Sequence, residues 1–137
     1  MMEQNRYMGI DFGEKRIGIA LTDPLLTFAY AHTTFQNDKN FWKKLGELIK
    51  SKDVSRIILG MPHKIDNPGL AEKIRIFKKK LENKFNIEVI EWDEQFTSVM
   101  AQAKIIESVP SKKKRKDKGL IDRNAAAIIL QEYLDSL

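Results

Sequence analysis

MGIDFGEKRIGIAL, residues 8–21, places two apolar runs on either side of a short charged turn. Tyr7 to Asp11 and Arg16 to Thr22 read as strands, with FGEK (residues 12–15) as the turn between them. The first run ends on Asp11, and a carboxylate has little use inside a sheet. Two readings follow. Asp11 either terminates its strand and accepts hydrogen bonds from the turn, or it belongs to a site at the strand end.

Outward from this hairpin, Thr27 to Phe35 is rich in Thr and aromatics and suits a third extended segment. Asn37 or Asp38 can cap a helix over Phe41 to Lys50, whose apolar positions 41, 42, 45, 48 and 49 keep helical spacing. RIILG, residues 56–60, is a continuous apolar run, short enough for a strand buried on both faces. A loop, MPHKIDNPG, leads to a helix over Leu70 to Asn83, and IEVIEW (residues 87–92) forms a fifth strand. A helix over Ser98 to Glu107, a lysine-rich linker PSKKKRKDKG and a last helix over Ile121 to Leu134 complete the chain. Three extended segments followed by alternating helices and strands predict an α/β fold: a mixed five-stranded sheet with helices on both faces. In such sheets functional residues gather at carboxyl ends of neighbouring parallel strands, where Asp11, Gly60, Asp93 and Glu94 fall.

The 137 residues are expected to form one domain, 1–137, with 42% hydrophobic and 31% charged residues. No apolar run approaches the ~20 residues of a membrane span, and the start of the chain lacks the apolar stretch of a secretory signal. The absence of cysteine excludes disulfides, zinc-thiolate sites and thiol catalysis, and suits a reducing, cytoplasmic setting. His32 and His63 have no second ligand at zinc spacing. A net charge of +5 favours a polyanionic partner, nucleic acid first among them.

Asp11, Glu94 and Asp122 together could supply oxygen ligands to Mg²⁺ or Mn²⁺. Two such ions, about 4 Å apart, activate a water and stabilise a leaving oxygen in phosphodiester hydrolysis. Asp122 has a plainer reading, as an acid capping the first turn of its helix. It nevertheless shares a helical face with Ala126, Ile129 and Tyr133, which turns it toward the sheet. For Asp93 and Glu94 a solvated strand-end pair is the default reading.

DFGEKRIGIALTD resembles the opening D-x-G-x-K-R-I-G-x-A-x-x-D of the YqgF (RuvX-like) family, described both as Holliday junction resolvases and as pre-16S ribosomal RNA nucleases. IILGMP, WDEQFTS and IDRNAAAIILQEYLDS resemble further segments of that family, in family order and over nearly the whole chain. The resemblance implies an RNase H-like fold with sheet order 3-2-1-4-5, and Asp11, Glu94 and Asp122 as the metal-binding, catalytic acids. It implies a nuclease that trims the 5′ end of precursor 16S ribosomal RNA or, alternatively, one that resolves branched DNA. Gln95 stands where the family usually has Arg, and HKIDNPG departs from the family loop. In that sheet order the fifth strand lies roughly 9–10 Å from the first, so Glu94 must reach past Gly60. Asp66 is the substitute ligand if Glu94 falls short.

Lys15 and Arg16 can contact phosphate oxygens near the strand end, or can be ordinary solvated hairpin charges. The planar fork of Arg16 suits phosphate better. Lys112, Lys113, Lys114, Arg115 and Lys116 form a basic run ahead of Asp122 that can bind a nucleic-acid backbone in a salt-sensitive way, or serve as a solubilising linker. A non-catalytic nucleic-acid-binding module is the competing function, although retention of all three acids opposes it. The expected assembly is a monomer or weak dimer, because nothing in the sequence announces an extended symmetric interface.

Overall fold

The computed structural model describes residues 5–61, 68–93 and 118–137, with side chains from residue 123 onward in the last segment. Strands β1 (Arg6–Asp11), β2 (Arg16–Thr22), β3 (Ala29–Gln36), β4 (Val54–Met61) and β5 (Glu88–Asp93) form one sheet, ordered β3-β2-β1-β4-β5. β1 pairs antiparallel with β2, and β2 with β3, whereas β4 runs parallel to both β1 and β5. Helices α1 (Phe41–Ser51) and α2 (Pro68–Phe85) cover one face of the sheet, and α3 (Lys118–Asp135) covers the other. This is the mixed five-stranded α/β sheet, helices on both faces, that the strand pattern predicts.

Strand alternation divides the core into two layers. Met8 and Ile10 of β1, Ile17, Ile19 and Leu21 of β2, and Ile57 and Leu59 of β4 meet Phe41, Leu45, Ile74, Phe77 and Leu81 of the first helix pair. The opposite positions, Ala20 and Ile58, meet Ala126, Ala127, Ile129, Leu130 and Tyr133 of α3. β4 therefore buries both faces, which is why its sequence is a continuous apolar run. Each fully buried Leu or Ile contributes about 1.5–3 kcal/mol to this packing.

The far end of α3 is pinned by polar contacts. Arg56 donates to the Tyr133 hydroxyl at 2.8 Å and lies 5.0 Å over the Tyr7 ring, and its Nε is 3.4 Å from Glu88. Trp92 Nε1 donates to Glu132 at 3.0 Å. Burial acts to lower the Arg56 pKa, but Tyr7, Tyr133 and Glu88 outweigh it and raise it above the ordinary value.

Several boundaries depart from the sequence expectations. β3 starts at Ala29, not Thr27, because the backbone N–H groups of Thr27 and Phe28 donate to the Asp23 carboxylate at 2.7 and 2.8 Å. Neither Asn37 nor Asp38 is the N-cap of α1: Asn40 holds that position, and Asp38 accepts from its N–H at 2.9 Å. α2 begins two residues early, at Pro68, whose fixed φ suits a first helical position. α3 begins at Lys118, so Asp122 stands beyond the first turn, which holds no acid. The cap reading of Asp122 is thereby removed. The helix expected over residues 98–107 lies outside the described residues. Among the described residues no helix is long and apolar enough to cross a membrane.

Candidate active site at the carboxyl end of the sheet

The hairpin turn after Asp11 is held by its own backbone and by the segment leaving β3. A Cβ on Gly13 would collide with the carbonyl oxygen of Arg16, so the turn admits only glycine there without moving. Asn37 closes it from outside: its N–H donates to the Lys15 carbonyl and its Nδ2 to the Gly13 carbonyl, both at 2.9 Å. Asp11 thus stands at the end of a central strand whose exit is rigidly defined.

Register places Asp11 between two glycines. It pairs with Gly18 on β2, and the Ile10–Leu59 pair puts it level with Gly60 on β4. The same row continues to Thr34 on β3 and Trp92 on β5. Paired residues present their side chains to the same face, so neither strand neighbour of Asp11 fills the space beside its carboxylate. Asp11 is half-buried there.

That face is the one covered by α3. A Cβ on Gly9 would lie 2.6 Å from the Ala126 carbonyl oxygen and 2.9 Å from Leu130 Cβ. Glycine at this position lets the helix sit directly on the strand. The rings of Tyr7 and Tyr133 lie 6.1 Å apart, so α3 runs opposite to β1. From Gly9 to Asp11 the strand advances about 6.6 Å. From Ala126 back to Asp122 the helix retreats about 6 Å, along one face. The backbone position of Asp122 therefore travels toward the same end of the sheet as Asp11.

Arg16 shares the α3 face with Gly18 and Ala20, two residues beyond the partner of Asp11, and its Nε is closed off from solvent. A fully solvated hairpin charge does not describe it. Lys15 is exposed. Glu94 follows the last residue of β5 and lies outside the described residues, as do Asp66, Gln95, His63 and Lys112, Lys113, Lys114, Arg115 and Lys116. Among the described residues no three acids or histidines cluster as a metal site. The donor set implied for Mg²⁺ or Mn²⁺, carboxylate oxygens on rigid elements, is matched by Asp11 in chemistry and in its place at the end of a central strand.

Arg123 was not singled out by sequence reasoning. It is half-buried next to Asp122, and its guanidinium reaches Thr34 Oγ1 at 3.4 Å. It ties the first half of α3 to β3 beside the Asp11 row. The signal available was its place next to an acid within IDRN, but only the β3 register shows what it meets.

This strand order, with an acid at the end of the first strand and helices on both faces, defines an RNase H-like α/β fold. The structure resembles T. thermophilus RuvC in complex with a Holliday junction substrate, with a TM-score of 0.60 and 13% identity over 96% of this chain and 94% of that one. It also resembles the fowlpox virus resolvase in complex with Holliday junction DNA, with a TM-score of 0.59 and 17% identity over 96% and 97%. At those identities the likeness is one of fold. The RuvX family, described as Holliday junction resolvase, matches residues 5–136, and this chain belongs to that family. A relative from Endomicrobium trichonymphae, named "Putative pre-16S rRNA nuclease", is 45% identical over 96% of each chain. One of the same name from Listeria monocytogenes serotype 4b is 36% identical over 96% of this chain and 98% of its own.

Proposed function

We propose that residues 1–137 form one nuclease domain that hydrolyses phosphodiester bonds in precursor 16S ribosomal RNA, trimming its 5′ end in the cytoplasm. The observation that carries this reading is the half-buried Asp11, held at the end of β1 between Gly18 and Gly60 on the face covered by α3. The names of the full-length relatives favour ribosomal RNA as the substrate.

In this proposal Asp11, Glu94 and Asp122 hold Mg²⁺ or Mn²⁺. The bound ions supply a nucleophilic water and charge for the leaving oxygen. The chain's own part is to fix the donors: the hairpin turn sets Asp11, and close packing of α3 sets the Asp122 backbone. Arg16 and Lys15 take phosphate oxygens at the turn. Lys112, Lys113, Lys114, Arg115 and Lys116 bind the backbone further along, without sequence preference. The protein works as a monomer or weak dimer.

Branched DNA is the second reading, favoured by the family description. Incubation of wild type and Asp11→Asn with each metal, on a precursor ribosomal RNA fragment and a four-way DNA junction, separates the two. RNA cleaved by the wild type only is the expected result. Junction cleavage alone would transfer the assignment to DNA, and cleavage by Asp11→Asn equal to wild type would remove Asp11 from the site.

A further inference from the structure

Behind Asp11, on the opposite face of the sheet from α3, the next residue opens a second concavity. Phe12, Glu14, Asn37, Lys73 and Ile76 line an open cavity of about 340 Å³ between the hairpin turn, the segment after β3 and α2. Small-ligand sites begin at about 300 Å³ and combine apolar walls with a few convergent polar groups. This one is a shallow, open member of that size class, with two apolar side chains, Phe12 and Ile76, beside three polar ones. The Phe12 ring is held against Phe77, with centroids 4.9 Å apart, and so offers a fixed aromatic wall. Ile76, 61% exposed, adds an aliphatic surface to the lining. Asn37 has its amide plane set by the bond from Nδ2 to the Gly13 carbonyl.

The charged pair at the rim decides which ligand fits. Lys73 Nζ lies 3.2 Å from Glu14 Oε1, with both side chains more than half exposed. The two charges cancel, so the cavity does not attract a phosphate. An exposed pair of this kind holds together weakly and opens easily to a competing hydrogen-bond partner. When it opens, Glu14 presents an acceptor-only carboxylate beside an aromatic wall. We infer that this cavity binds an unpaired nucleobase of the substrate strand, selecting a base with adjacent N–H donors, guanine above all, over uracil. The Watson–Crick edge of guanine offers a carboxylate two neighbouring donors, cytosine and adenine offer one amino group, and uracil offers a single N–H flanked by two carbonyl oxygens that repel the carboxylate.

The inference rests on the nuclease reading for its substrate strand, since the backbone of that strand would pass Asp11 while the base turns behind it to Phe12. It extends that reading by giving the turn two roles. One face holds the acid and the other holds a base, and Gly13 keeps the two in fixed relation.

Ligand-observed NMR titration of the wild-type chain with guanosine, cytidine, adenosine and uridine tests the cavity without a cleavage step. Guanosine is expected to bind about fivefold or more tightly than uridine, the discrimination of a good polar pairing to a base edge. Ile76→Trp, which fills the opening, should abolish the guanosine signal. Glu14→Gln should bring guanosine down to the uridine level. Both positions are exposed, and unchanged melting curves would confirm that the fold is intact. Equal binding of all four nucleosides, binding of none, or undiminished guanosine binding by Ile76→Trp would each overturn the inference. Guanosine binding with no cleavage of either nucleic acid would overturn the nuclease reading and leave the cavity assigned. RNA cleavage without guanosine binding would do the reverse.

Discussion

Gly9→Ala puts the seating of α3 on β1 under direct test. The added methyl would lie 2.6 Å from the Ala126 carbonyl oxygen, about 0.8 Å inside the 3.4 Å at which ordinary contact begins. It would also lie 2.9 Å from Leu130 Cβ. Neither obstacle can rotate away, because one is backbone and the other is the root of a buried side chain. α3 must therefore lift, loosening Ala126, Ile129, Leu130 and Tyr133 together. Overpacking of this kind costs about 1–3 kcal/mol. Replacing a strand glycine by alanine returns about 0.5–1 kcal/mol of chain entropy. The net expectation is a loss of about 1–2 kcal/mol, with Tm lowered by about 3–10 °C for a chain of this size. Thermal and urea unfolding measure it. Gly69→Ala is the control, since nothing lies within 4 Å of a Cβ there and the change should stabilise α2. Cleavage measured well below Tm should also fall in Gly9→Ala, because the lifted helix carries Asp122. A Tm equal to wild type or higher would refute the packing argument. A lowered Tm with full cleavage would refute the link between helix seating and the site.

Other variants test separate parts of the structure. Tyr133→Phe removes the hydroxyl that accepts from Arg56 at 2.8 Å, and should cost about 1–2 kcal/mol in urea unfolding. Asn86 ends α2 with a φ of 49°, so Asn86→Gly should raise stability by a few tenths of a kcal/mol, about the cost of a side chain in that region. The Asp23 pKa is lowered from 3.8 by the Phe28 N–H above all, against an opposing effect of burial, and further by the Thr27 N–H. Its contribution is present above pH 3.8 and is lost as pH falls through the lower folded value, so the Tm gap between wild type and Asp23→Asn should shrink in that range. Neutralising Lys112, Lys113, Lys114, Arg115 and Lys116 should weaken nucleic-acid binding and flatten its salt dependence, by about 0.7–0.9 in log–log slope for each phosphate left without a cation. An unchanged slope would leave that run a linker.

What the sequence could and could not show follows the range of the interactions involved. The hairpin, the doubly buried β4 and the helical stripe of α3 are local patterns with periods of two or 3.6 residues, and they were legible. The glycines around Asp11 were visible as residues, but Gly18 and Gly60 become its neighbours only through pairing. An extra residue on β3, His32, shifts the pairing between Ile19 and Ala20 and so brings Thr34, not Thr33, into the Asp11 row. No sequence period reports such a shift. Arg123 meeting Thr34 and Lys73 meeting Glu14 are contacts between distant segments, and they escaped for the same reason.

By itself, then, the sequence determined the α/β class, the acid at the end of β1 and the family motifs, because alternation, apolar run length and turn chemistry are properties of adjacent residues. Only the tertiary structure decided that Asp11 stands between two bare glycines, that Asp122 lies past the first turn of a helix seated on Gly9, and that the reverse of the same turn opens a cavity. Those depend on which strands pair, in what register, and how closely a helix can approach. They arise from packing between segments tens of residues apart, which no local pattern encodes.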